Sequence, residues 1–183
     1  MRFRSPARRA FATLLLTLSA VCWPAAAPSE YQVKAVFLFN FGQFVEWPKG
    51  AFDTPQAPFV IGILGEDPFG STLDDVVNGE SVGGRSLVVR RFRDASEISG
   101  CNILFISRAE QDKLGRALSA VRGHSVLTVT DIDGAEKQGA IIVLFNDRNR
   151  IRMRINLAAA KASQLVISSK LLRPAEVVGT EGS

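Results

Sequence analysis

The six residues Phe59-Val-Ile-Gly-Ile-Leu64 carry no polar side chain. Successive side chains of an extended segment point to opposite faces. A strand of this composition therefore needs apolar cover on both sides, the situation of a parallel sheet between helical layers. Four further segments read as strands: Ser86 to Phe92, Ile103 to Ile106, Ser125 to Thr130 and Ala140 to Phe145. Helical patterns separate them. Asp67 suits an N-cap and Pro68 a first helical residue, with Leu73, Val76 and Val77 on the inner face and Asn78-Gly79 as the stop. Between Glu110 and Val121, Leu114, Ala117, Leu118 and Val121 recur at helical spacing. The alternation predicts an α/β fold: one three-layer domain with a mainly parallel five-stranded sheet and helices on both faces. Asn146-Asp147-Arg148-Asn149 reads as a hairpin turn that returns Arg150 to Ile155 as an added antiparallel edge strand. Asn156 then caps a last helix through Leu165.

Ahead of the first strand lies a dense apolar segment, Glu30 to Pro48. It packs Phe37, Phe39, Phe41, Phe44 and Trp47 into what reads as one helix. Pro48 stops it, because proline lacks a donor and disfavours helix in the residue before it. Such a helix calls for burial and is not expected on a surface. Lys49 to Pro58, with Gly50, Pro55 and Pro58, reads as a connecting loop.

Residues 1–27 have the form of a secretory signal peptide: Arg2, Arg4, Arg8 and Arg9, an apolar run from Ala10 to Cys22, and the small residues Ala25-Ala26-Ala27. The run is shorter than the ~20 residues that span a bilayer. A cleaved leader and a single domain over residues 28–183 follow. The leader also accounts for the charge. Of 22 basic residues, four lie before Glu30, leaving 18 against 18 acidic. A neutral domain gives no support for nucleic-acid binding. Beyond the leader Cys101 is the sole cysteine, so no disulfide can close within the domain. Its place at the head of an apolar run reads as a buried strand residue, with intermolecular pairing as the alternative.

Chemistry-bearing patterns are sparse. His124 stands alone in a turn. No hydrolase elbow, phosphate-binding lysine loop or metal-ligand spacing occurs. No catalytic residue, metal or cofactor is therefore expected. Glu66 and Asp67 follow the first strand, at the end of the sheet where open α/β folds bind ligands. They form a candidate ligand crevice, or simply a tight strand-to-helix turn. Asp131-Ile132-Asp133-Gly134 reads as a turn and helix cap. Arg148, Arg150, Arg152 and Arg154 share one face of the returning strand and its turn. Like charges side by side repel, so this face is not expected to serve stability. It reads either as a solvated edge that resists aggregation or as a docking strip for an acidic protein surface or lipid phosphates.

Four segments together resemble the YfiR family of small periplasmic regulators: Tyr31 to Pro48, Ile61 to Gly70, Cys101 to Ser107 and Ile155 to Pro174. The endings Glu46-Trp47-Pro48 and Ser168-Ser169-Lys170-Leu171-Leu172 carry most of the likeness. The resemblance implies a non-enzymatic, periplasmic α/β protein, often a homodimer. It would bind the periplasmic domain of an inner-membrane diguanylate cyclase and hold it inactive, lowering cyclic di-GMP and exopolysaccharide output. Arg150, Arg152 and Arg154, together with Ser169, Lys170, Leu171 and Leu172, are the candidate partner-binding residues. A periplasmic small-molecule-binding domain is the alternative. Family members commonly carry further cysteines linked to redox response, and this chain departs from them there.

Overall fold

The computed structural model describes residues 28–179, so the leader reading lies outside the described residues. Helix α1 (Glu30–Phe44) starts at a reciprocal cap. The Ser29 hydroxyl accepts from the Gln32 amide at 3.2 Å, and the Gln32 side chain accepts from the Ser29 amide at 2.7 Å. The helix ends earlier than the sequence suggests. Val45 is extended (φ −114°, ψ 139°) and forms, with Glu46, a short strand β1. Strand β1 pairs antiparallel with β9 (Val166–Ile167), and the Phe44 carbonyl accepts from Ser168 at 3.0 Å. β-Branched Val45 and the restriction on residues before proline both favour this exit. Trp47 consequently stands beyond the helix, its ring edge-on to Phe59 at 4.9 Å. One flank of α1 also meets solvent: Gln32, Gln43 and Val36, the last 46% exposed.

The main sheet corrects the five-stranded expectation. It contains β2 (Phe59–Leu64), β3 (Ser81–Val82), β4 (Arg85–Phe92), β5 (Ile103–Ile106), β6 (Leu127–Thr130), β7 (Ile142–Asp147), β8 (Arg150–Asn156) and β10 (Glu176–Val178). Their order is β10-β8-β7-β6-β5-β2-β4-β3, in a mixed sheet curled into a half-barrel. The β7–β8 and β3–β4 pairs are antiparallel and the rest parallel. The returning strand β8 is thus internal, because β10 adds outside it with Glu176 opposite Arg154. Two- and three-residue strands carry too little pattern to be read from sequence, which is why β3 and β10 escape it.

Two cores lie on the two faces of this sheet. Phe59, Ile61 and Ile63 of β2 join Leu38 and Phe41 of α1 and Leu73 of α2 (Ser71–Val77). Ala160 of α4 (Leu157–Ala162) and Leu171 of α5 (Ser169–Leu172) complete that layer. Val60 and Leu64 point the other way, to Leu114, Ala117 and Leu118 of α3 (Leu114–Ala120). At Gly62 the second face has no room for a side chain, since a Cβ there would lie 2.8 Å from the Phe92 ring.

Helix starts differ from expectation for local reasons. Asp67 does not cap α2. Its Oδ1 accepts from the Phe69 amide at 2.7 Å, closing a tight turn, while Phe69 is buried against Tyr31 and Phe105. Burying that ring takes the chain off a helical path until Ser71. A 3-10 segment, Arg108–Lys113, precedes α3. Asn156 does cap α4, accepting from Ala159 at 3.0 Å.

Between β7 and β8 the hairpin closes through Arg148 (φ 49°) and Asn149 (φ 66°). Two left-handed residues match the twist of the flanking strands but suit Asn-Gly better than Arg-Asn. The pair Arg148→Asn with Asn149→Gly is expected to gain roughly 0.5–1 kcal/mol in urea unfolding. An unchanged midpoint would mean that the turn is not strained.

Candidate functional site

The strongest electrostatic feature is one the sequence conceals. Lys34, on α1, is fully buried. Its Nζ lies 2.7 Å from Asp131 Oδ2 and 2.5 Å from Glu30 Oε1, and sits 4.5 Å from the Tyr31 ring centre. Tyr31 donates to the same Asp131 oxygen at 2.9 Å, and Arg108 donates to the Asp131 carbonyl at 2.8 Å. Asp131, read from sequence as a turn residue, is instead buried directly after β6, and its Oδ1 has no partner among the described residues. Spacing offers no signal for this pair, because 97 residues separate its members. The hydrogen bond and charge of Lys34 hold Glu30 below the usual carboxylate range. Burial, then the bond to Asp131, pushes the Tyr31 phenol up to about 12.

The predicted crevice is occupied by protein. β4 and β5 lie on opposite sides of β2, so the strand order reverses between β2 and β5, where open sheets take ligands. There Gly65 (φ +86°) faces Glu110, whose Cγ lies 2.5 Å from where a Cβ would stand. The Glu110 side chain is largely covered and pairs with Lys113 at 3.2 Å. Asp67 is tied to Arg91 at 2.7 Å, and Arg91 in turn grips Asp74 at 2.5 Å and the Gly70 carbonyl at 3.0 Å. That grip lowers the Asp74 pKa. Glu66 is exposed. The larger open cleft, about 560 Å³, lies at the opposite end, against Pro58, Cys101, Asn102 and His124, where β2, β5 and β6 begin.

The arginine row divides. Arg154 lies 3.1 Å from Glu176, 3.4 Å from the buried Glu136 and 3.8 Å from Asp133, with its guanidinium 4.9 Å from the Phe145 ring centre. It clamps β10 and the 3-10 turn Ala135–Gln138 onto β8, so the expectation that the row serves no stability fails at this member. Arg152 makes one long contact, 4.0 Å to Asp147, and Arg148 and Arg150 project into solvent at the hairpin. Met153 and Ile155 join the core beneath α1, which puts the arginines on the other face. The Ser169-to-Leu172 segment lies on the α1 side. Leu171 is buried there, Leu172 is half-buried, and Ser169 and Lys170 are exposed, with Lys170 5.3 Å from the Phe44 ring. The two sets of candidate partner-binding residues therefore do not form one patch.

Buried Cys101 has its thiol pushed up to about 11 by desolvation. Among the described residues no cluster of three or more His, Cys, Asp or Glu is arranged to hold a metal, and no helix is long and apolar enough to cross a membrane.

This combination is an α/β domain in which buried carboxylates and cations serve internal ties. Residues 31–176 match the family model described as YfiR/HmsC-like, and the chain belongs to that family. No curated protein matches the chain.

Removing one member of a buried pair strands the other. Lys34→Met is expected to cost about 3–5 kcal/mol, and the double change Lys34→Met, Asp131→Leu to recover most of it. Urea unfolding checks this, and equal losses in both variants would show that the pair contributes packing alone. Tyr31 is the sole tyrosine in the chain, so absorbance titration reads it directly, with a midpoint near pH 12 expected. Its raised pKa means that the unfolded chain loses the phenol proton first. The associated stability is full below about pH 10 and declines between 10 and 12. Asp131→Asn should lower the midpoint only in part, since desolvation is the larger cause.

Proposed function

We propose that this protein is a non-enzymatic periplasmic regulator that binds the periplasmic domain of an inner-membrane diguanylate cyclase and holds the cyclase inactive. Membership of the YfiR/HmsC-like family over residues 31–176 carries the reading. The titratable groups support it. Asp67, Glu110, Asp131 and Lys34 are tied to one another or to neighbouring side chains, in the manner of a scaffold and not of an acid–base pair. Repression then works by population shift: the regulator binds the inactive cyclase state more tightly than the active one.

The β7–β8 hairpin is the docking element in this reading. Among the described residues Arg150 forms no ion pair and Arg152 only the long one to Asp147, whereas Arg154 and Leu171 are committed to the fold and support the surface from within. Rim charges of this kind steer encounter and select partners more than they add affinity. The exposed Ser169 and Lys170 lie on the other face and form a second, separate contact.

The full chain, produced with its leader, is expected to co-purify with the periplasmic domain of a membrane-bound diguanylate cyclase encoded beside it. Deleting its gene should raise cyclic di-GMP. Arg150→Glu with Arg152→Glu should weaken the complex by about tenfold or more without lowering stability, whereas Ser169→Ala with Lys170→Ala tests the second contact alone. No complex at micromolar concentration, with cyclic di-GMP unmoved by deletion, would overturn the reading. A complex indifferent to charge reversal would remove the hairpin from it.

A further inference from the structure

A second cleft, of about 410 Å³, lies where the end of α1 meets the loop before β2 and the turn between β3 and β4. Its walls include Trp47, Phe52, Phe59, Val82 and Arg85. The three rings stand close together: Trp47 is perpendicular to Phe59 at 4.9 Å, and Phe52 is inclined at 46° to Phe59 at 6.3 Å. The Arg85 guanidinium lies 3.9 Å from the Phe52 ring centre. Its Nη1 is held by the carbonyls of Thr54 at 3.0 Å and Ala57 at 2.7 Å. Those bonds fix the group in place, and among the described residues they are its only hydrogen bonds, made by Nη1 alone. Among the described residues Arg85 forms no ion pair, unlike Arg91 and Arg154, which are surrounded by carboxylates. The indole Nε1 of Trp47 is likewise buried without an acceptor among the described residues.

We propose that this cleft binds a small planar aromatic acid. The volume falls in the range of small-ligand sites, roughly 300–1,000 Å³, and suits one or two rings. A ring inserted beside Phe52 and Phe59 would gain edge and face contacts. A carboxylate would meet a cation that is already oriented and lacks a counter-charge, the strongest kind of polar contact available here. A cationic ligand would face Arg85 directly, and a neutral one would leave its charge uncompensated. Trp47 lies just ahead of the loop Lys49 to Pro58, and Arg85, at the start of β4, holds two of that loop's carbonyls. Occupancy of the cleft therefore bears directly on the order of that loop. The site is separate from the arginine hairpin and from the filled crevice at Gly65, so it extends beyond the proposed regulatory contact.

Intrinsic fluorescence tests this in the full chain carrying Trp23→Phe, which leaves Trp47 as the sole indole. Phenylacetate is expected to give a saturable change in Trp47 emission. 2-Phenylethanol, without the charge, and cyclohexylacetate, without the aromatic ring, should each bind about tenfold more weakly or worse. Arg85→Gln should cost phenylacetate a similar factor while the thermal midpoint confirms the fold. If that variant does not fold, the three-ligand comparison on the parent chain decides alone. Linear, non-saturating quenching up to millimolar phenylacetate would overturn the proposal, and so would equal affinity for all three probes. A response of Trp47 to the cyclase domain but to none of the probes would assign the cleft to a protein partner instead. Failure of the cyclase test leaves this result unaffected, because no partner is present in the titration.

Discussion

Lys34 and Asp131 hold together two parts of the chain that hydrophobicity alone would leave free to rotate. Helix α1 is apolar on most of its circumference, so burial by itself does not choose which side meets the sheet. A single buried ammonium does choose. Only one rotation and one axial position bring Lys34 to Asp131 at 2.7 Å, while Glu30, one turn back on the same helix, completes the ammonium's partners. Such pairs add little net stability against a well-packed apolar alternative, and the penalty of mismatching them is large. The pair therefore acts as a registration device: it fixes how α1 lies on β6, and with it the positions of Phe41, Phe44 and the Trp47 exit.

Much of the architecture could be read from residue pattern, because the pattern reports burial. Phe59 to Leu64 announced a two-sided strand. Asn146 to Asn149 announced a hairpin, and Asn156 a cap. The failures share a cause, namely structure set by distant partners. Val45-Glu46 and Val166-Ile167 are strands only because they find each other. Glu176 to Val178 is a strand because Arg154 and the β8 edge await it. Asp67 looked like a cap, but the nearer demand of burying Phe69 and the pull of Arg91 decided its role. In the site the same division holds. Exposure of Arg150 and the tightness of the turn at Gly65 were legible. Glu110 filling that turn, and Lys34 meeting Asp131, required the fold.

The arginine row illustrates how one motif can serve two purposes. Period-two spacing places its strand members on one face, yet the face is not uniform along its length. Near β10 and the Ala135–Gln138 turn, carboxylates surround Arg154 and make it part of the framework. Four residues earlier, at Arg150, the strand has passed the end of β10 and the charge meets water. Binding strength at the hairpin and stability at the clamp can thus change independently, although the residues alternate along one strand.

The two faces of the sheet are unequally clothed. Helices α1, α2, α4 and α5 cover one face, and α3 with short 3-10 turns covers the other. The thinner layer has less to lose on local opening, so the two halves of the domain need not share one free energy of exposure. Cys101 lies in the thinner layer. Its thiol is buried, and desolvation pushes its pKa up to about 11. A protein whose described residues contain a single thiol thus carries its own gauge of breathing: the pace at which that buried sulfur meets a reagent measures how often its own layer of the domain opens, independently of whether the α1 side has moved.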